Sequence, residues 1–154
     1  MLFISSPFRV SLVGGGSDYH DYFELNGGRT ISFAIDHGCL VSFNEAPGCE
    51  SRYRLAYSAI EECSKAADIQ HPMLRTFLSR FEYGHLEVHY DATLPKGTGL
   101  GTSSAFACCL TAACRQSKGK SLDPYMLAKE AIYLERILMG ELGGWQDQIV
   151  SAYG

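Results

Sequence analysis

At 154 residues, 46% hydrophobic and 19% charged, the chain has the composition of one ordinary globular domain, which excludes disorder, a collagen repeat and a disulfide mini-protein. A formal net charge of −4 leaves no basic field to gather nucleic acid or an anionic membrane as partner. No apolar run approaches the length of about 18 residues that a membrane span needs.

Residues 2–13, LFISSPFRVSLV, are rich in β-branched and aromatic types and read as a strand, bulged near Pro7 and closed by the turn Gly14-Gly15-Gly16. The polar segment SDYHDYFELNGG follows. Residues 29–44 alternate well enough for one long bent strand or a hairpin around His37-Gly38, and 52–57 add another strand. Ala, Glu, Lys, Leu and Phe recur at helical spacing through 58–81, with Pro72 in the first turn of a second helix. Residues 85–94 alternate cleanly, with Leu86, Val88 and Tyr90 on one face, and run into the glycine loop. A helix buried on most sides is expected over 103–117. Another, capped by Asp123 with Pro124 at its first position, carries Met126, Leu127, Ala131, Leu134 and Leu138 inward as far as Gly140. A further element begins near Trp145. With no repeat or linker, this is one α+β domain.

Six cysteines form no C-x-x-C pair and follow no secretory signal. Reduced thiols in a cytoplasmic protein are expected, several of them as small core residues. Cys63 with His71, or His85 with His89, offers no paired cluster at zinc spacing, which favours buried thiols and surface histidines over a metal site.

The segment 95–105, PKGTGLGTSSA, sets flexible backbone directly against a helix start. Glycines let backbone N–H groups converge without Cβ clashes, and a helix N-terminus adds free donors and partial positive charge. Thr102, Ser103 and Ser104 are placed to cap the helix or to give a hydroxyl to magnesium. The Gly-Lys-Ser/Thr ending of a Walker loop is missing, since Lys96 precedes the glycines. On these residues alone, a tight turn and a phosphate cradle both fit.

Glu135 and Asp147 tip the balance: one carboxylate near a phosphate loop suits magnesium while the second accepts or orients a hydroxyl proton. The plain alternatives are a solvated Glu135 paired with Arg136 or Lys129, and a loop-capping Asp147. Upstream, Gly14-Gly15-Gly16-Ser17-Asp18 presents a carboxylate at a strand end, which suits sugar hydroxyls or a simple Asx turn.

Together and in this order the three segments resemble a family. SSPFRVSLVGGGSDY is similar to the first motif of the GHMP kinases, LPKGTGLGTSSAFA to their ATP-loop motif, and ERILMGELGGWQDQ to the segment with their metal glutamate and catalytic aspartate. The triple glycine, the Gly-Gly-x-Gln-Asp-Gln element and RYRLAYS are most similar to the D-glycero-D-manno-heptose 7-phosphate kinase branch, with L-fucose kinases sharing related loops. Galactokinases carry Glu-His where this chain has Gly15-Gly16, a departure that argues against galactose.

The resemblance implies a GHMP kinase N-terminal domain of the ribosomal protein S5 domain 2-like fold over 1–154, its mixed or antiparallel sheet packed with helices. ATP and Mg²⁺ are the implied cofactors, and a sugar or sugar phosphate the substrate. Pro95, Gly97, Gly99, Leu100, Gly101, Thr102 and Ser103 would wrap the ATP phosphates, with Ser104, also in that loop, and Glu135 holding the metal. Asp147 would orient or deprotonate the attacking hydroxyl while Arg9 steadies the charge around it, and Gly16, Ser17 and Asp18 would contact the sugar. Family members continue into a C-terminal domain absent from this chain. It is therefore expected in cis or in trans, and the chain alone is expected to be weak or inactive. Two alternatives are a non-catalytic binding module and a sugar-nucleotide sensor without turnover.

Overall fold

The computed structural model describes residues 1–154 except 46, 48, 49, 82 and 96; Cys49 and Lys96 thus lie outside the described residues. Among the described residues, five strands form one mixed sheet in the order β1-β2-β5-β3-β4, comprising β1 (Leu2–Val13), β2 (Ile31–Glu45), β3 (Tyr53–Ala56), β4 (Ile60–Cys63) and β5 (Leu86–Ala92). Of the pairings between them, β3 with β5 is parallel and the other three are antiparallel. The helices are α1 (His20–Asn26), α2 (Pro72–Arg80), α3 (Thr102–Ser117), α4 (Pro124–Ile132) and α5 (Gln146–Tyr153).

The expected bulge near Pro7 is present and divides β1 into two halves. The β1–β2 register shifts between Pro7 and Arg9, and β2 remains one bent strand instead of a hairpin at His37-Gly38. Before the shift Ser6 meets α5, its hydroxyl donating to the Ser151 carbonyl at 2.9 Å. Beyond it Arg9 and Ser11 meet α5 instead. An irregularity of this kind re-aims side chains, here turning Arg9 and Ser11 toward α5.

Two segments differ from expectation. Residues 60–63 form β4, antiparallel to β3, where helical spacing predicts helix; four residues are too few for a 3.6 period to outweigh pairing with a neighbouring strand. The polar stretch after Gly16 contains α1, whose Phe23 and His20 pack against Trp145 at ring-centroid distances of 4.8 and 5.4 Å. Tertiary packing, not local propensity, holds so short a helix.

The core lies between the sheet and α2, α3 and α4, with Phe8, Val41, Leu55, Leu86, Phe77 and Leu110 almost fully buried. Each stabilises the fold by about 1.5–3 kcal/mol relative to exposure. Helix α3 runs through the middle and is buried from Ser104 to Arg115. The five described cysteines are free thiols, four of them buried, and Cys39 and Cys109 lie 3.7 Å apart, Sγ to Sγ. The Asp123 carboxylate caps α4 by accepting from the Met126 N–H at 2.9 Å, and Pro72 opens α2, as expected. Among the described residues no helix is long and apolar enough to cross a membrane.

Glu61 ties β4 to the start of α2. It accepts from the Tyr57 hydroxyl at 2.6 Å and from the N–H groups of Gln70 and His71 at 2.6 and 3.2 Å. Burial alone would raise its carboxyl, but these hydrogen bonds outweigh burial and hold it below its usual value. Burial, reinforced by Glu61, pushes the Tyr57 hydroxyl up to about 12. Because the folded-state carboxyl is depressed, its stabilisation is present above an unfolded value of about 4.3 and is lost as pH falls through the folded value. Tyr57→Phe is expected to cost about 1 kcal/mol at pH 7, at the low end for a bond to a charged group because solvent screens it. Urea midpoints measured from pH 7 to 3 should show the deficit shrinking on acidification.

Candidate active site

Three consecutive residues at the start of α5 point three ways. Gln146 Oε1 accepts from the hydroxyls of Ser11 on β1 and Ser32 on β2, at 2.7 and 2.8 Å. Asp147 Oδ1 takes both Arg9 Nε at 2.7 Å and Arg9 Nη2 at 2.6 Å. Gln148, fully buried, turns inward and donates from Nε2 to Glu135. Successive helical residues are about 100° apart, so one turn reaches the sheet, the loop and the core at once.

The glycine loop closes on the same point. Arg9 Nη1 donates to the Gly99 carbonyl at 2.6 Å and the Arg9 N–H to the Leu100 carbonyl at 3.0 Å. Gly101 is the N-cap of α3, with φ of 74° and no side chain to cap the helix. The left-handed backbone favours glycine here, and a Cβ would lie 3.3 Å from Arg9 Cγ, a slightly tight contact, and 3.5 Å from Asp147 Oδ2. Pro95, Gly97, Thr98 and Gly99 are exposed and Leu100 is half-buried, leaving the loop's outer surface open.

Thr102, Ser103 and Ser104 occupy the first turn of α3, not its cap. Ser103 Oγ donates to Glu135 Oε1 at 2.8 Å and Ser104 Oγ to Glu135 Oε2 at 2.7 Å. Glu135 is thus no solvated surface partner of Arg136 or Lys129: it is 1% exposed. It sits where α4 widens into a π-helical turn over Tyr133–Leu138, with the Met139 N–H reaching back to the Leu134 carbonyl at 3.0 Å. The wider turn buries both Leu134 and Glu135, and such insertions are frequent at functional sites.

Among the described residues no cation pairs with Glu135; its hydrogen-bond donors are two hydroxyls and an amide. Its charge is felt nearby. Burial and then Glu135 push the Cys108 thiol up, and the same two causes, in the same order, raise the Glu141 carboxyl. A buried carboxylate beside a serine hydroxyl, with no cationic partner, is a donor set that fits a hard divalent cation such as magnesium.

The first glycine turn is locked to the loop before α5. Asp18, 9% exposed, accepts from the Gly16 N–H at 2.9 Å through Oδ1 and from the Gln146 N–H at 3.1 Å through Oδ2. Ser17 Oγ donates to the carbonyls of Gly14 and Arg29 at 2.7 and 2.9 Å and accepts from the Arg29 N–H at 3.1 Å. These groups build the turn, and Gly16 itself is exposed. Beside them lies a cavity of about 220 Å³ lined by Asp18, Arg29, Trp145 and Gln146 among others. Arg136 braces the far side of the loop, donating to the Gly144 carbonyl from Nη2 at 3.1 Å and from Nε at 3.3 Å.

The fold therefore brings Arg9, Asp147 and the glycine loop into contact, gathers Ser103, Ser104 and Glu135 just inside, and sets Gly16, Ser17 and Asp18 across the same α5 start. Arg136 carries no signal of such a role in the sequence, and Gln146 and Gln148 carry one only in flanking Asp147 within the Gly-Gly-x-Gln-Asp-Gln element.

The chain is similar to several known proteins. A D-glycero-alpha-D-manno-heptose 7-phosphate kinase of Campylobacter jejuni is 26% identical over 97% of this chain and 47% of its own length. An L-fucokinase/L-fucose-1-P guanylyltransferase of Bacteroides fragilis is 26% identical over 93% of this chain and 18% of its own. The crystal structure of a D-glycero-D-manno-heptose 1-phosphate kinase from Bacteroides thetaiotaomicron superposes with a TM-score of 0.83 at 26% identity, covering 99% of this chain and 54% of that one. The chain thus spans about half the length of the heptose kinases that it matches and a smaller part of the fucokinase. Since the family model described as "GHMP kinases N terminal domain" matches residues 55–154, and the fold over the whole chain is that of a solved heptose kinase, the chain belongs to the GHMP kinase family.

Proposed function

We propose that this chain is the nucleotide-binding half of an ATP-dependent sugar kinase, and that the favoured acceptor is the anomeric hydroxyl of a heptose 7-phosphate. The observation that carries the reading is the Arg9–Asp147 pair clasped to the glycine loop, with Ser104 and Glu135 one turn inside it. L-fucose is the second acceptor considered, because the fucokinase is as similar in sequence as the heptose kinase.

In this reading the exposed loop from Pro95 to Gly101 and the start of α3, with Thr102 and Ser103, receive the triphosphate, which the helix N-terminus favours electrostatically. Ser104 and Glu135 would hold magnesium, which would supply positive charge against the transferring phosphates. Arg9 engages Asp147 only through Oδ1, so Oδ2, beside Gly101, is available to accept the proton of a hydroxyl. The same guanidinium fixes the orientation of the Asp147 carboxylate. Gly16, Ser17 and Asp18 shape the floor of the sugar site beside the 220 Å³ cavity. In-line transfer needs mainly positioning and charge neutralisation, which these groups supply without a covalent nucleophile. A C-terminal domain in cis or in trans completes the enclosure, and the cytoplasm is the compartment where free thiols and ATP coincide.

The test is ATP binding by calorimetry with and without magnesium. Ser104→Ala is expected to weaken ATP binding about 10-fold or more when magnesium is present and to leave magnesium-free binding unchanged. Equal loss under both conditions would remove Ser104 from the metal site.

A further inference from the structure

Gln148 is an unusual core residue. Its side chain has no solvent exposure, yet its amide oxygen Oε1 has no hydrogen-bond partner. A buried unpaired carbonyl is a cost that Met or Leu would avoid at similar volume. The compensating contact is on the other side of the amide: Nε2 donates to Glu135 Oε2, the same oxygen that accepts from Ser104. Gln148 is fully buried, and its backbone carbonyl accepts from Cys108 Sγ on α3 at 3.5 Å. Turning the amide over would set Oε1 against the Glu135 oxygens, so the Glu135 side chain itself fixes which end faces it.

We propose that Gln148 is a positioning residue for the metal carboxylate: it holds Glu135 through Oε2 so that the carboxylate stays turned to Ser103 and Ser104, and through the first turn of α5 it ties that orientation to Asp147. The inference rests on the kinase reading, in which Glu135 binds magnesium. Groups that orient a metal ligand from behind typically account for about 10- to 100-fold in metal affinity. Since the donor is a neutral amide, Gln148 sets geometry without cancelling the charge that a cation would meet.

The experiment uses the 154-residue chain, ATP and magnesium. The readout is the ratio of ATP affinity with magnesium to affinity without it, alongside the unfolding temperature. Gln148→Met is expected to lower that ratio about 10-fold or more, with magnesium-free ATP affinity unchanged and the chain still folded. A folded Gln148→Met protein with the wild-type ratio overturns the proposal. Glu135→Gln separates this from failure of the underlying reading. If Glu135→Gln keeps the wild-type ratio, or the wild type shows no magnesium dependence, the metal assignment falls and the proposal with it. If Glu135→Gln abolishes the dependence and Gln148→Met does not, only the proposal falls. Should Gln148→Met not fold, the side-chain amide resonance of Gln148 in the wild type decides: it is expected to shift when magnesium is added to the ATP complex, and an unmoved resonance overturns the proposal.

Discussion

Asp147→Asn is expected to reduce phosphoryl transfer by a factor of about 10²–10⁴ while leaving the affinity for magnesium-ATP within about threefold. The exchange is nearly isosteric. Asn keeps an oxygen for Arg9 Nε but loses the charge that the guanidinium answers, and the atom in the Oδ2 position beside Gly101 no longer accepts a proton. Nucleotide contacts are assigned to the loop and the start of α3, and the near-isosteric change leaves Arg9 bonded to the Gly99 carbonyl, so binding and chemistry should separate. The measurement is ADP release with saturating ATP and sugar phosphate, the chain being supplied with a C-terminal GHMP domain in cis or in trans. Unchanged turnover would remove Asp147 from the chemistry; a parallel collapse of ATP affinity would mean that its pairing with Arg9 chiefly holds the loop.

Gly144→Ala should destabilise the fold by about 2–4 kcal/mol, through overpacking and lost hydrogen bonds to a carboxylate. A Cβ at this position would lie 1.8 Å from Asp18 Oδ2 and 2.1 Å from Asp18 Cγ. Asp18 has little room to yield, because each of its oxygens already holds a backbone N–H, one from Gly16 and one from Gln146. Either the carboxylate leaves both loops or the loop before α5 moves, taking Asp147 with it. For a chain of this size the loss corresponds to roughly 5–15 °C in melting temperature, readable by circular dichroism. In an Asp18→Gly background the same substitution should cost much less, and strict additivity of the two changes would contradict the contact.

Most of the sheet and the larger helices are legible in the sequence because their signals are local: alternation in 85–94, Pro72 and Asp123-Pro124 at helix starts, and a bulge at Pro7. Other features are decided by distant parts of the chain. β4 is a strand because β3 lies beside it, and α1 is a helix because Trp145, far along the chain, receives Phe23 and His20. The π-helical turn at Tyr133–Leu138 leaves no compositional mark, yet it carries Glu135 into the interior. The chemistry-bearing residues stand out from their types and order, while their supports do not. Ser11 and Ser32 are ordinary strand residues until Gln146 lies across them, and Asp18 and Ser17, expected to face a sugar, spend their polar atoms on neighbouring backbone.

The clasp between β1 and α5 bears on how the protein comes into being. Ser6 donates to the Ser151 carbonyl and Ser151 to the Pro7 carbonyl, while Arg9 and Ser11 bond Asp147 and Gln146. Every one of these contacts joins positions more than a hundred residues apart, so each closes a loop nearly as long as the chain. Loop closure of that length is unfavourable until most other packing is in place. These bonds form only once α5 has packed against the sheet, which makes α5 the latch that brings Arg9 and Asp147 together beside the glycine loop.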